Sequence, residues 1–304
     1  MMIILYFILI ALLVTVLVFV AIVLRLIVKI FMQIAITANR EESPPVDGEE
    51  VTFTTRDGCQ LHGYFIFGEN SCGKTILFCH EVGAGWGSWH KYASFLPKAG
   101  YNILSFDFRG HGLSKLTNGY KPTPWLTKYE YNDICAALEY LSNREDVAKD
   151  KIGSFGVSRG GNTAIYCAQK TGLLRAIAVD SSFSTYETMY AYIEKWAPIY
   201  IPFKISSAVI HFLTRIGIFF SQIAFRSRLP RIAKLLKHLH IPIFFIHGER
   251  DNYISVNQAR QLYERANEPK ELWTIPKARH NESVLVNPEG YEKRITAFFK
   301  KSLV

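Results

Sequence analysis

Charge is missing from the start of this 304-residue chain: residues 1–24 hold no charged side chain and are almost wholly Ile, Leu, Val, Phe and Ala. That excludes an ordinary soluble helix, because the run exceeds the roughly 20 residues that cross a bilayer. A secretory signal is excluded as well, since it would have a basic start and a shorter apolar core of about 7–15 residues. Cysteines are few and odd in number: Cys59, Cys72, Cys79, Cys135 and Cys167. None shows a metal-ligand spacing, and the usage favours a reducing compartment. Cys79 and Cys167 fall in apolar stretches, where cysteine acts as a small buried hydrophobe. Basic stretches interleaved with aromatics are also lacking, although the formal net charge is +9. No nucleic-acid partner is therefore expected. The densest basic region, Arg226 to Lys237, adjoins a very apolar stretch, an arrangement suited to anionic membrane lipids. There is no internal repeat and no low-complexity tract.

Residues 1–31 thus read as a transmembrane anchor. Arg25, Lys29 and Arg40 follow its uncharged run, residues 1–24, and only the α-amino group precedes it, so the positive-inside rule puts the body of the protein on the cytoplasmic side. Residues 32–50 are expected to be a linker; Arg40 to Glu50 (REESPPVDGEE) is polar and carries two prolines. The remainder, 51–304, suits one large α/β domain.

Within it, Arg56-Asp57-Gly58 between two strand-like runs signals a hairpin. Continuous apolar runs at Thr75 to Cys79, Tyr101 to Phe106, Ala176 to Val179 and Ile241 to His247 read as strands buried on both faces. Helices are expected at Trp89 to Ala99, Tyr129 to Leu141, Asn162 to Lys170, Ser255 to Ala266 and Pro288 to Lys301, with a last strand at Glu271 to Ile275. This alternation implies a mostly parallel sheet flanked by helices, with its site at the carboxyl ends of the strands. The alternation breaks at about 184–239. Trp196 to Arg226 is apolar and aromatic, with Pro198, Pro202, Lys204, His211 and Arg215 among its interruptions. A helical cap insertion is expected there, dipping into the bilayer interface.

The chemistry centres on residues 151–162 (KIGSFGVSRGGN), a short strand running through Gly156-Val157-Ser158-Arg159-Gly160 into a helix. The two glycines stand where a tight strand-to-helix turn has no room for a side chain, so Ser158 is the candidate nucleophile. A serine hydroxyl needs a base within hydrogen-bond reach, and the base needs an orienting carboxylate. Asp251 and His280 follow in chain order, each just after a strand. Asp180, ending the strand after the nucleophile, is the alternative acid. His80 and His111 precede the serine in loops that can use them structurally. His247 lies within a strand, where a satisfied hydrogen bond is expected, and Asp107 is expected to order the loop from Arg109 to Ser114. The oxyanion donors would be the backbone N–H groups of Arg159 and Val82.

His80 to Gly83, Asp107 to Ser114 (DFRGHGLS), Gly156 to Gly160, Asp251 and His280 together resemble an α/β-hydrolase of the serine-hydrolase type. The resemblance runs from about Val51 to the C-terminus. The DFRGHGLS segment is similar to the monoglyceride-lipase and aminopeptidase-like branch. The anchor and Asp180-Ser181-Ser182-Phe183 resemble its membrane-anchored members, which include lysophospholipases and protein depalmitoylases. The resemblance implies hydrolysis of an ester or thioester of an acylated, lipid-like substrate through an acyl-serine intermediate, with no cofactor and no metal. A peptidase or acyltransferase on the same triad, and a non-catalytic membrane scaffold that keeps the fold, are the alternatives. Dehalogenase and epoxide-hydrolase chemistry are disfavoured because the elbow holds Ser and not Asp. The family has His-Gly where this chain has His80-Glu81. Glutamate does not take positive φ cheaply, so the loop is expected to turn at Gly83 or Gly85 instead.

Overall fold

The computed structural model describes residues 2–32, 48–114, 120, 122–200 and 206–304. Most of the expected linker (33–47, with Arg40) and Pro202 and Lys204 of the expected cap lie outside the described residues.

Eight strands form one sheet: β1 (Gly48–Thr54), β2 (Gln60–Ile66), β3 (Thr75–Cys79), β4 (Asn102–Phe106), β5 (Ile152–Val157), β6 (Ala176–Asp180), β7 (Ile243–Gly248) and β8 (Lys270–Ile275). Their spatial order is β1-β2-β4-β3-β5-β6-β7-β8. β1 and β2 make an antiparallel hairpin around Asp57-Gly58, with Gly58 at φ +79°, and β2 pairs antiparallel with β4. Every pairing from β4 to β8 is parallel.

The central strands are buried on both faces, which is why apolar residues fall on both faces of β3 and β6 rather than alternating with polar ones. The side-chain period of two splits each strand between two cores. Leu77, Cys79 and Leu104 point to the core shared with α3 (Lys128–Ser142), α4 (Arg159–Thr171) and α8 (Val256–Arg265), where they meet Leu138, Ile165 and Leu262. Ile76, Phe78 and Ile103 point to the opposite core, with Phe155 and with Tyr291, Ile295 and Phe299 of α10 (Pro288–Ser302). Helix α3 starts on a capping box in which Thr127 and Glu130 satisfy each other's backbone N–H groups.

One helix is shorter than expected. α2 covers Trp89–Ala93, and the chain then turns through Pro97 to Gly100 at φ +87°. Proline lacks an amide hydrogen and disfavours helical geometry in the residue before it. The expected continuation to Ala99 is therefore stopped by residues already visible in the sequence.

The chain divides into two compact units. One comprises 36–185 and 229–304 and contains the whole sheet. The other comprises 1–35 and 186–228. It holds α1 (Met2–Met32), α6 (Ser207–Ala224) and nearly all of α5 (Thr185–Tyr200). Within this second unit α1 packs along α6, with Val20 and Ile210 against Leu213 and Ile193. α6 buries Leu213, Thr214, Gly217, Ile218 and Ser221, and exposes Phe212, Phe219, Phe220 and Ile223. The stretch Ile3–Ile22 of α1 is 20 residues long, and none of its described side chains is buried. At 1.5 Å per residue it spans about 30 Å, the thickness of a bilayer's hydrocarbon core.

Candidate active site

Ser158 stands between β5 and α4 at φ +52°, ψ −118°, a conformation L-residues avoid. Both flanking bonds are taken up. The Ser158 N–H donates to the Asp180 carbonyl at 2.8 Å, and the Asn162 N–H donates to the Ser158 carbonyl at 3.2 Å. The glycines on either side are sterically required. A Cβ on Gly156 would lie 2.6 Å from the backbone of Gly161, and one on Gly160 would lie 2.1 Å from the Cys79 carbonyl oxygen. The tight turn thus presses the start of α4 against the end of β3.

His280 comes from the loop after β8 and Asp251 from the loop after β7. Ser158 Oγ is 3.2 Å from His280 Nε2, and His280 Nδ1 is 2.6 Å from Asp251 Oδ2. A carboxylate only accepts, so Nδ1 carries the proton and Nε2 is left to accept from the serine. The Asp251 side chain is fully buried. Its Oδ1 accepts the N–H groups of Tyr253 and Ile254, both at 2.8 Å, which fixes the carboxylate's orientation. The three side chains stand in series at the carboxyl ends of parallel strands, where such sheets place their sites.

The remaining candidates sit elsewhere. Asp180 is not joined to a histidine by a hydrogen bond. Its Oδ1 accepts Ser181 Oγ and Ser283 Oγ at 3.0 Å, and its Oδ2 accepts Tyr291 OH at 2.8 Å. His247 is buried in β7, with Nε2 2.9 Å from the Ile254 carbonyl and 3.4 Å from Asp251 Oδ2. His80 and His111 are buried beneath the loop that Asp107 orders. The Phe108 N–H donates to His80 Nε2, while His111 lies against Arg159. Burial first, then nearby positive charge, pushes both imidazoles down, His80 well below its ordinary value and His111 to about 4. Asp107 accepts the N–H groups of Trp86 and Leu113 and, through its carbonyl, Ser114 Oγ. The Arg159 side chain turns inward to the Thr123 carbonyl and the Glu130 carboxylate, so its backbone rather than its guanidinium is what it offers at the elbow.

The loop after β3 takes its left-handed turn at Gly83, at φ +83°, while Gly85 is extended and Glu81 keeps a negative φ. The Glu81 carboxylate accepts Ser88 Oγ at 2.8 Å and Tyr92 OH at 3.2 Å. Neither the Val82 nor the Arg159 N–H donates to another described group. Among the described residues no His, Cys, Asp and Glu cluster could hold a metal ion.

The sheet, its strand order and the serine on a strained strand-to-helix turn are those of the α/β-hydrolase fold. The sequence model of the alpha/beta hydrolase fold matches residues 74–199. A Pyrococcus furiosus esterase structure superposes with a TM-score of 0.66 at 26% sequence identity, covering 85% of this chain and 92% of the esterase. The uncharacterized protein YfhR of Salmonella typhi is 29% identical over 253 residues, 78% of this chain and 75% of YfhR. An uncharacterized membrane protein of Saccharomyces cerevisiae is 22% identical over 258 residues, 83% of this chain and 81% of that protein. Fold and esterase likeness together support hydrolase activity, and α1 is a candidate membrane anchor.

Proposed function

We propose that the protein is a membrane-anchored serine hydrolase that cleaves carboxylic ester or thioester bonds of acylated, lipid-like substrates through an acyl-serine intermediate. The observation that carries this reading is the unbroken series Ser158 Oγ, His280 and Asp251. His280 Nε2 takes the hydroxyl proton as Ser158 Oγ attacks the acyl carbonyl. Asp251, already bonded to Nδ1, stabilises the imidazolium that forms. The developing oxyanion is met by the N–H groups of Arg159 and Val82, which have no other partner among the described residues. His280 then gives its proton to the leaving alcohol or thiol. Water, activated by the same imidazole, releases the acid.

The lipid-like substrate rests on α1 and on the basic segment from Arg226 to Lys237, both suited to a bilayer surface. Arg25 and Lys29 behind the apolar run support a cytoplasmic hydrolase body by the positive-inside rule. The yeast relative's description as a membrane protein agrees with the anchor.

The test is hydrolysis of a series of p-nitrophenyl esters and acyl thioesters of increasing chain length by detergent-solubilised protein. Wild type is expected to hydrolyse them with a preference for longer chains, and Ser158→Ala to lose at least about 10³-fold in kcat. Equal rates for wild type and Ser158→Ala would remove the nucleophile from the mechanism.

A further inference from the structure

Asp180 is a buried carboxylate that the mechanism above does not use. Burial raises its pKa against the lowering effect of its hydroxyl donors and of His247. Its hydrogen-bond partners are all hydroxyls and none is a cation. A buried carboxylate without a paired cation is costly to keep, so what it holds together matters.

Three of its groups reach different parts of the site. Its carbonyl accepts the N–H of Ser158, fixing the strained elbow at 2.8 Å. Its Oδ1 accepts Ser283 Oγ, three residues beyond His280, where the histidine loop enters a short helix (Ser283–Val286). Its Oδ2 accepts Tyr291 OH at the base of that loop, on α10. Ser181 Oγ, also bonded to Asp180, accepts the N–H of Asn281 at 3.4 Å. Asn281 directly follows His280 and is left-handed, at φ +59°. Its carbonyl is held from the other side by Lys91 Nζ at 3.0 Å and Tyr92 OH at 3.3 Å.

We propose that Asp180 is a positioning residue for the hydrolytic reaction: its backbone sets the nucleophile, its carboxylate sets the histidine loop, and together they hold Ser158 Oγ and His280 Nε2 in reach of each other. The inference rests on Ser158 and His280 acting as nucleophile and base. A carboxylate suits the task because three donors converge on it and it is acceptor-only, with lone pairs on two oxygens. Asparagine offers one acceptor oxygen and would leave part of the cluster to rearrange. A displacement of about 1 Å between reacting groups costs on the order of 100-fold in rate.

The experiment uses full-length protein in detergent. Wild type, Asp180→Ala, Asp180→Asn and Ser283→Ala are compared by kcat and KM on p-nitrophenyl butyrate. The same set is compared by rate constant and final extent of fluorophosphonate labelling, and by thermal melting. Ser283→Ala is expected to lower kcat and the labelling rate constant about tenfold, with KM within twofold of wild type and full final labelling. Asp180→Ala is expected to lose about 100-fold, and Asp180→Asn to recover part of that loss. A residue needed only for folding would lower the final labelled fraction and leave the rate constant of the folded fraction unchanged, and that result overturns the proposal. So does a wild-type labelling rate and kcat in both Ser283→Ala and Asp180→Asn. Wild-type protein that Ser158→Ala matches in labelling would instead overturn the nucleophile assignment, and the positioning role with it.

Discussion

Replacing Gly160 by alanine puts the tightest contact of the elbow under test. The added Cβ would lie 2.1 Å from the Cys79 carbonyl oxygen, 2.6 Å from its carbon and 2.6 Å from the His80 carbonyl oxygen. Ordinary contact begins at 3.4 Å, so the start of α4 and the end of β3 must separate by about 1.3 Å. All three clashing atoms are backbone, so no side-chain rotation relieves them. Overpacking of this kind costs on the order of 3 kcal/mol. For a domain of this size that lowers Tm by roughly 6–12 °C. The same shift carries Ser158 away from His280, and a misplacement near 1 Å removes about 100-fold in rate. Gly172 is the matched control. It closes α4 at φ +65° with nothing within 4 Å of its Cβ position. Gly172→Ala is expected to cost only the left-handed strain, about 1 kcal/mol, without loss of activity. Melting curves and p-nitrophenyl butyrate hydrolysis on both variants decide the matter. A Gly160→Ala protein with wild-type Tm and rate would refute the steric account of the elbow.

Two further predictions concern pH and the membrane. His111 is held down to about 4 by burial and by Arg159, whereas an unfolded histidine titrates near 6.5. The unfolded chain therefore binds more protons in this window, and stability falls as pH drops from about 6.5 to about 4, by at most ~1.4 kcal/mol per pH unit for this group. His111→Gln should flatten the corresponding fall of Tm, and an unchanged slope would contradict the buried neutral imidazole. A chain lacking residues 1–32 should leave the membrane fraction on salt and alkaline washing, while the full chain requires detergent. Equal retention of both would place the anchor elsewhere.

The sheet was readable where its strands are buried on both faces. Thr75 to Cys79 matches β3 at both ends, and Tyr101 to Phe106 leads β4 by one residue. The order β1-β2-β4-β3 was not readable, because β2 pairs with β4 across the intervening β3 and no local signal specifies that choice. At the site, the order Ser158, Asp251, His280 could be read because each follows a strand. The use of Asp180 could not. Its partners Ser283 and Tyr291 lie 103 and 111 residues further on, in a short helix and in the closing helix, and they carry no spacing signal. Glu81 was legible only as a departure from the expected glycine. Its bonds to Ser88 and Tyr92 explain how the loop accommodates it, with Gly83 supplying the positive φ.

The central claim is that Ser158 is an activated nucleophile. Its most direct test is to treat the detergent-solubilised full chain with a fluorophosphonate and locate the adduct by peptide mass mapping. One adduct is expected per chain, on the peptide containing Ser158, with none in Ser158→Ala and much slower labelling in His280→Ala. Folded wild-type protein that takes up no label, or an adduct on another residue that persists in Ser158→Ala, would contradict it.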